Sequence, residues 1–296
     1  SSNNIISIYN SSITSNVATN NGGGLGNIGN GFTLNVYSSI FDNNRAYRGG
    51  AIDSTSSSGT INIVSIYNSS IINNVVTSSG GGMYVDNATV NIHQNDISSN
   101  NGGNEYGGLE IRSSVVVMSN TNITNNVAVE RGGGIGISSS SSSSSSSFTN
   151  PSRIDMTRCL IKSNTISTVS SSTLNCGGGI HAMYNTNVSV RESSFISNIA
   201  SNNQGHEICT ERSDADGTPR MAMVNTYIYD SYRGNVIYDN DQDATSKTAI
   251  WSTCAAPALE LCAREPYTNR CLQIDSSNPK FGVYCQNICA SNLYTY

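Results

Sequence analysis

Ile71-Ile72-Asn73-Asn74-Val75-Val76-Thr77-Ser78-Ser79-Gly80-Gly81-Gly82-Met83 holds the two signatures that decide the fold. The first is an apolar residue with Asn three places on, Ile71 and Asn74. The second is a Gly group running into an apolar residue, Gly80-Gly81-Gly82-Met83. Working outward, the first signature recurs as Ile13/Asn16, Ile40/Asn43, Ile97/Asn100, Ile123/Asn126, Ile161/Asn164 and Phe195/Asn198. The second follows each time: Gly22-Gly23-Gly24-Leu25, Gly49-Gly50-Ala51-Ile52, Gly107-Gly108-Leu109, Gly132-Gly133-Gly134-Ile135, Gly177-Gly178-Gly179-Ile180 and a degenerate Gly205-His206-Glu207-Ile208. Successive units begin 27, 31, 26, 26, 38 and 34 residues apart. A unit of this size cannot bury its apolar side alone and must stack on copies of itself.

The spacing suits one coil of a solenoid with a variable loop. Apolar residues alternate with Ser, Asn and Thr in Thr60-Ile61-Asn62-Ile63 and Thr89-Val90-Asn91-Ile92-His93, the period of strands with one face inward. Each coil is expected to run strand, turn, strand, turn, strand. The recurring residues Asn16, Asn43, Asn74, Asn100, Asn126, Asn164 and Asn198 are assigned to a structural ladder. Stacked at the strand spacing of roughly 4.8 Å, each side-chain amide can bond the one above and the one below. Gly groups supply positive φ and close approach at the corners. Seven or eight coils make a rod about 35 to 40 Å long.

The alternation resembles right-handed parallel β-helix proteins with tandem GGA[ILV] and FxxN repeats, the polymorphic outer membrane protein type. The resemblance covers roughly residues 5 to 210. Only Phe195 is matched to the aromatic of FxxN and only Gly49-Gly50-Ala51-Ile52 to the full GGA form. Nothing downstream reads as the barrel of an autotransporter, which needs an even set of alternating strands of about ten residues. The expected fold is all-β, a right-handed parallel β-helix over residues 1–210. Last strands and a small disulfide-rich C-terminal cap follow over 211–296. The ten-serine run Ser138 to Ser147 is placed as a loop insertion carrying O-linked sugar or serving as a bare linker, and a second insertion is placed at Ser167 to Asn175.

Charged residues are 12% of the chain, and the net charge of −5 offers no basic stripe, which argues against nucleic acid as a partner. No run of eighteen apolar residues suggests a membrane span. The chain opens at Ser1-Ser2-Asn3-Asn4, as expected of a processed secreted chain. Cys159, Cys176, Cys209, Cys254, Cys262, Cys271, Cys285 and Cys289 are assigned to disulfides of an oxidising compartment, the last five stapling the cap. Eight cysteines allow 105 pairings. Cys176 and Cys209 flank the Gly corners of successive coils and can meet across the stack. The tail has no CxxC and no His, so no metal is assigned.

Asn10, Asn68, Asn87, Asn122 and Asn187 carry the N-glycosylation pattern, and covalent glycans are the only non-protein groups expected. Ser7-Ile8-Tyr9-Asn10-Ser11-Ser12-Ile13 recurs unchanged as Ser65-Ile66-Tyr67-Asn68-Ser69-Ser70-Ile71, which would set sugars in a row along one edge. The bland alternative is unmodified surface Asn. No cofactor and no catalytic residue is assigned. The carboxylates Asp42, Asp53, Asp86, Asp96, Glu105, Glu110, Glu130, Asp155 and Glu192 read as scattered, and Gly205-His206-Glu207 reads as a polar turn. Asp239-Asn240-Asp241-Gln242-Asp243 lacks the Gly and Glu of a Ca²⁺ loop and reads as a solvated turn. The function expected is a non-enzymatic, secreted or cell-surface structural and adhesive protein. It would be the glycosylated subunit of a filament assembled head to tail on itself, and cell-surface or matrix glycans are further candidate partners. The alternative is a β-helix polysaccharide lyase or hydrolase.

Overall fold

The alternating stretches become strands that pair only with their counterparts one turn away. A computed structural model of the chain describes residues 4–29, 31–56, 60–139, 151–167, 176–183, 185–201, 205–211, 220–224, 226–229, 237–239 and 249–253. Among them there is no helix, and the strands form a parallel β-solenoid. The first sheet stacks nine strands: Ile5–Tyr9, Thr33–Tyr37, Asn62–Tyr67, Ala88–His93, Val115–Ser119, Ser152–Thr157, Thr186–Arg191, Arg220–Val224 and Ala249–Thr253. The second stacks eight three-residue strands, from Ser12–Thr14 and Ile40–Asp42 through Ser194–Ile196 to Tyr227–Tyr229. The third stacks another eight, among them Ile52–Thr55, Met83–Asp86, Leu109–Arg112, Ile135–Ser138, Ile180–Met183 and Ile208–Glu211. Register is in step: Ala88–His93 lies between Asn62–Tyr67 and Val115–Ser119, with Val90 opposite Val64 and Val116.

The core is built of columns. Leu34, Val64, Val90, Val116, Ile154, Val188 and Met221 stack from the first sheet; Phe41, Ile71, Ile97, Ile123, Ile161, Phe195 and Ile228 stack from the second. Like side chains at strand spacing fill the interior without a helix to cover it.

Corners between sheets are made by residues in the left-handed region. Asn10, Ser38, Asn68, Gln94, Asn120, Arg158 and Glu192 turn one corner, with φ between 43° and 57° throughout the non-Gly positions of this kind. Ser15, Asn43, Asn73, Ser99, Asn125, Ser163 and Ser197 turn the next. Asn tolerates this conformation better than most residues, and eight Asn among the described residues take it.

Inside the second corner runs the amide ladder, formed by Asn16, Asn44, Asn74, Asn100, Asn126, Asn164 and Asn198. Each Nδ2 donates to the Oδ1 of the next turn, at 2.9, 3.0, 3.0, 3.0, 2.9 and 2.8 Å in order. Asn43 is therefore not a ladder residue. It is exposed, turns the corner with φ 54°, and donates to Ser15 Oγ at 3.2 Å. The inward pair is Phe41/Asn44, because Phe41 aligns with Ile71 while Ile40 aligns with Ser70. The aromatic of FxxN is thus present twice, at Phe41 and Phe195.

A second ladder of short polar side chains runs inside the first corner. Ser11, Ser39 and Ser69 donate backbone N–H groups to Ser39 Oγ, Ser69 Oγ and Asn95 Oδ1 at 3.1, 3.1 and 2.8 Å. Cys159 stands in this column. Its N–H donates to Ser193 Oγ at 3.0 Å, and its thiol is buried and free, so its assignment to a disulfide is corrected. Cys176 and Cys209 do bridge successive turns. Cys254, Cys262, Cys271, Cys285, Cys289 and the cap they were assigned to lie outside the described residues, as do Ser140 to Ser147, residues 168–175 and Asp241 to Asp243.

Candidate functional site

The Gly corners set the third sheet, because the first residue of each group takes positive φ: 67° at Gly22, 61° at Gly49, 68° at Gly80, 55° at Gly132, 79° at Gly177 and 60° at Gly205. In the fourth turn Tyr106 holds this place, with φ 54°. The strand that follows points its first and third residues into the core, such as Met83 and Val85 or Leu109 and Ile111. Its second residue points the other way. In register these second residues are Asp53, Tyr84, Glu110, Gly136, His181 and Cys209. The five with side chains are 0 to 3% exposed, because the preceding corner folds over them.

The covered column is a polar network. Arg48 Nε sits 2.8 Å from Asp53 Oδ2, and its Nη2 donates to Thr55 Oγ1 at 3.1 Å. Its guanidinium carbon lies 3.7 Å from the centre of the Tyr84 ring. Arg112 Nη1 donates to the Tyr84 hydroxyl at 3.3 Å, and its Nε is 3.5 Å from Glu110 Oε1. Ser79 Oγ donates to the other Glu110 oxygen. Burial pushes the Glu110 carboxyl up to about 7 and the Tyr84 hydroxyl up to about 12. Burial also raises Asp53 against the pull of Arg48.

Further along, the Tyr106 ring fills the space over Gly132 and Gly136, where an added Cβ would come 2.5 and 2.0 Å from it. The Tyr106 hydroxyl donates to Met183 Sδ at 3.1 Å, and the ring stacks on His181 at 6.2 Å between centroids. His181 Nε2 lies 3.1 Å from Glu211 Oε2, beside the Cys176–Cys209 disulfide. Burial pushes the Glu211 carboxyl up, but the bond and charge of His181 outweigh it and leave it below its ordinary value.

One sequence-based expectation is corrected here. Asp53, Asp86 and Glu110 are not scattered: they share one sheet with Arg112, and Arg48, from the adjoining strand Arg45–Arg48, reaches across the corner to Asp53. Aligning the Gly groups puts Asp53, Tyr84, Glu110, His181 and Cys209 at one offset, the signal that could have found them. Gly205-His206-Glu207 is the polar turn expected, and it is buried. Glu207 is 0% exposed, and its carboxylate accepts from Asn198 N–H at 3.2 Å and from Asn198 Nδ2, taking the ladder position beyond the last Asn. His206 Nδ1 accepts from Ala200 N–H at 3.0 Å.

Among the sites with the glycosylation pattern, Asn10 and Asn68 are exposed at one corner, two turns apart, and Asn87 is exposed at another. Asn122 is exposed on the second sheet, and Asn187 is half-buried in the first. A shallow polar depression of about 240 Å³ lies along the first corner, between Asn68, Gln94, Asp96, Asn120 and Asn122. On the first sheet Tyr9, Tyr37 and Tyr67 stack almost parallel, 5.0 and 5.2 Å between centroids. No protein family, no curated protein and no solved structure matches the chain.

Proposed function

We propose that this is a non-enzymatic structural rod of an extracellular or cell-surface assembly, glycosylated on its exposed Asn side chains and joined head to tail into a filament. The observation that carries the reading is where its reactive side chains go. Asp53 and Glu110, 0% and 3% exposed, are bound to Arg48, Arg112, Thr55 and Ser79 inside the wall, out of reach of a polymeric substrate. The outer face of the first sheet carries Ile63, Val115 and Val117, exposed at 44, 38 and 46%, and the exposed Arg158 and Glu192 are joined in an ion pair at 2.8 Å. The alternating FxxN-like and Gly signatures, resembling those of polymorphic outer membrane proteins, support a surface role. The Cys176–Cys209 bridge supports an oxidising compartment.

For assembly, the support is the first described turn. Ile5, Ile6 and Val17 are 64, 40 and 77% exposed there, whereas the core columns above are closed. A second copy stacked on this turn would pair its strand edge and cover its apolar residues, and unequal ends give a contact that need not close into a ring. Glycans at Asn10 and Asn68 would stand along the side of such a rod, where surface or matrix glycans could also be met. The functional reading is tested by incubating the purified protein with plant, algal and bacterial polysaccharides: no new reducing or unsaturated ends are expected. Their appearance would overturn it in favour of a lyase or hydrolase. One observation favours that second reading, namely Asp53, Asp86 and Glu110 on one sheet with Glu110 raised to about 7, in the range of a general acid. Loss of any such activity in Glu110→Gln would assign it to this column.

A further inference from the structure

The corner of the sixth and seventh turns brings together Cys176, His181 and Cys209, all buried, with one ligand-type atom from each lying within 4.8 Å of the others. His181 is 0% exposed. Its Nε2 lies 3.1 Å from Glu211 Oε2, and the ring nitrogen that faces a carboxylate oxygen is the one that carries the hydrogen, so Nδ1 is the acceptor nitrogen of that tautomer. Nδ1 is buried with no hydrogen-bond partner among the described residues. A buried unpaired ring nitrogen is costly.

We propose that Cys176, Cys209 and His181 form a redox-gated site for a thiophilic divalent cation such as zinc. Glu211 fixes the ring, and the Cys176–Cys209 disulfide is the closed state. A dithiol reductant opens the site: two electrons and two protons pass to the sulfurs, and the reductant leaves as its cyclic disulfide. Both thiols then lose their protons as the ion binds, and His181 Nδ1 supplies the third ligand. Two thiolates and an imidazole on consecutive turns match the donor set zinc favours, and a fourth position stays open to water. The carboxylate behind the ring is the outer partner that metal-binding His residues commonly have. Tyr106, stacked on His181, shields the site from one side. A small disulfide oxidant reverses the sequence: two electrons pass from the two thiolates to it, it takes up two protons from water and leaves as its dithiol, and the ion is expelled as the Cys176–Cys209 bond closes.

The test uses the whole chain, reduced with a dithiol under argon, freed of reductant and titrated with Co²⁺. Thiolate-to-cobalt charge transfer and the intense d–d bands of a four-coordinate ion are expected. Replacing His181 with Gln, or Cys176 and Cys209 together with Ser, should each remove one equivalent of bound cobalt relative to the unaltered chain. Cobalt held by other cysteines remains as a common background. Glu211→Gln should keep the equivalent but weaken it about ten- to a hundredfold. His181→Gln retains both cysteines, and its disulfide and circular dichroism in the oxidised state show whether it folds. The proposal is overturned if the reduced chain takes up no cobalt, or if folded His181→Gln binds as much cobalt with the same spectrum.

Discussion

At Asn100 a single side chain ties three turns together. Its Oδ1 accepts from Asn74 N–H and Asn74 Nδ2, both at 3.0 Å, while its Nδ2 donates to Asn126 Oδ1 at 3.0 Å and to Ile71 O at 2.9 Å. Asn100→Ala removes one partner of each bond inside the core, and stranded buried polar groups cost about 1 to 3 kcal/mol each. Urea unfolding should show a loss of about 3 to 5 kcal/mol. Asn43→Ala, at the exposed corner, should lose no more than about 2 kcal/mol, the difference of an Ala in the left-handed region. The carboxyl of Glu110 rises from 4.5 to about 7 on burial. Between those values the folded chain keeps a proton that the unfolded chain has lost. Its contribution to stability is complete below about pH 4.5 and is lost as pH rises to about 7, by roughly 3 kcal/mol. Stability measured across that range should fall, and Glu110→Gln should flatten the fall; an unchanged slope in the variant would reject the assignment. Burial pushes the Cys159 thiol up to about 11, so iodoacetamide should spare it in the native protein and label it on unfolding.

The strand and the corner behave as one element because the corner has no room for side chains. A Cβ on Gly107 would lie 2.3 Å from Gly133 O and 2.6 Å from Val127 N, backbone atoms that cannot step aside. Gly107→Ala should cost about 3 kcal/mol or more. Gly31→Ala, with φ 69° but nothing within 4 Å, should cost roughly 1 to 2 kcal/mol, and parallel denaturation curves separate the two. Elements of this kind are legible in sequence because their period is physical: Ile71, Asn74 and Gly80 repeat wherever a coil must face inward, ladder and turn. The same logic slipped by one at Ile40-Phe41-Asp42-Asn43-Asn44, where adjacent apolar residues and adjacent Asn satisfy the spacing twice. Only pairing with Ser70–Ile72 decides which of each faces in. The bridge between Cys176 and Cys209 was visible as two cysteines flanking consecutive corners. The column of Asp53, Tyr84, Glu110 and His181 shares one offset from the Gly groups, but its burial was not visible. Its residues point away from the core, and they are buried only because the corner folds back over them.

Over the described residues, three tall parallel sheets and two short ones stack along one axis and leave hydrogen-bonding edges at the ends of the stack. The described stack of eight turns spans about 38 Å at strand spacing. Among the described residues its first turn is the least enclosed. Asn16 is exposed where Asn44, Asn74 and Asn100 are sealed, and the Tyr9 ring, 59% exposed, stacks on Tyr37. Replacing Ile6, 40% exposed, with Asp would charge this face and should leave a folded rod that fails to join others, whereas changes at the exposed corner residues Asn10 and Asn68 should not prevent joining. The central claim is that a second copy continues the stack at this turn, and electron cryomicroscopy of the concentrated protein tests it most directly. Filaments are expected with the roughly 4.8 Å strand spacing running unbroken through each junction and a subunit rise of about 40 Å or more. Isolated rods at every concentration, or filaments joined side to side with the first turn left open, would contradict it.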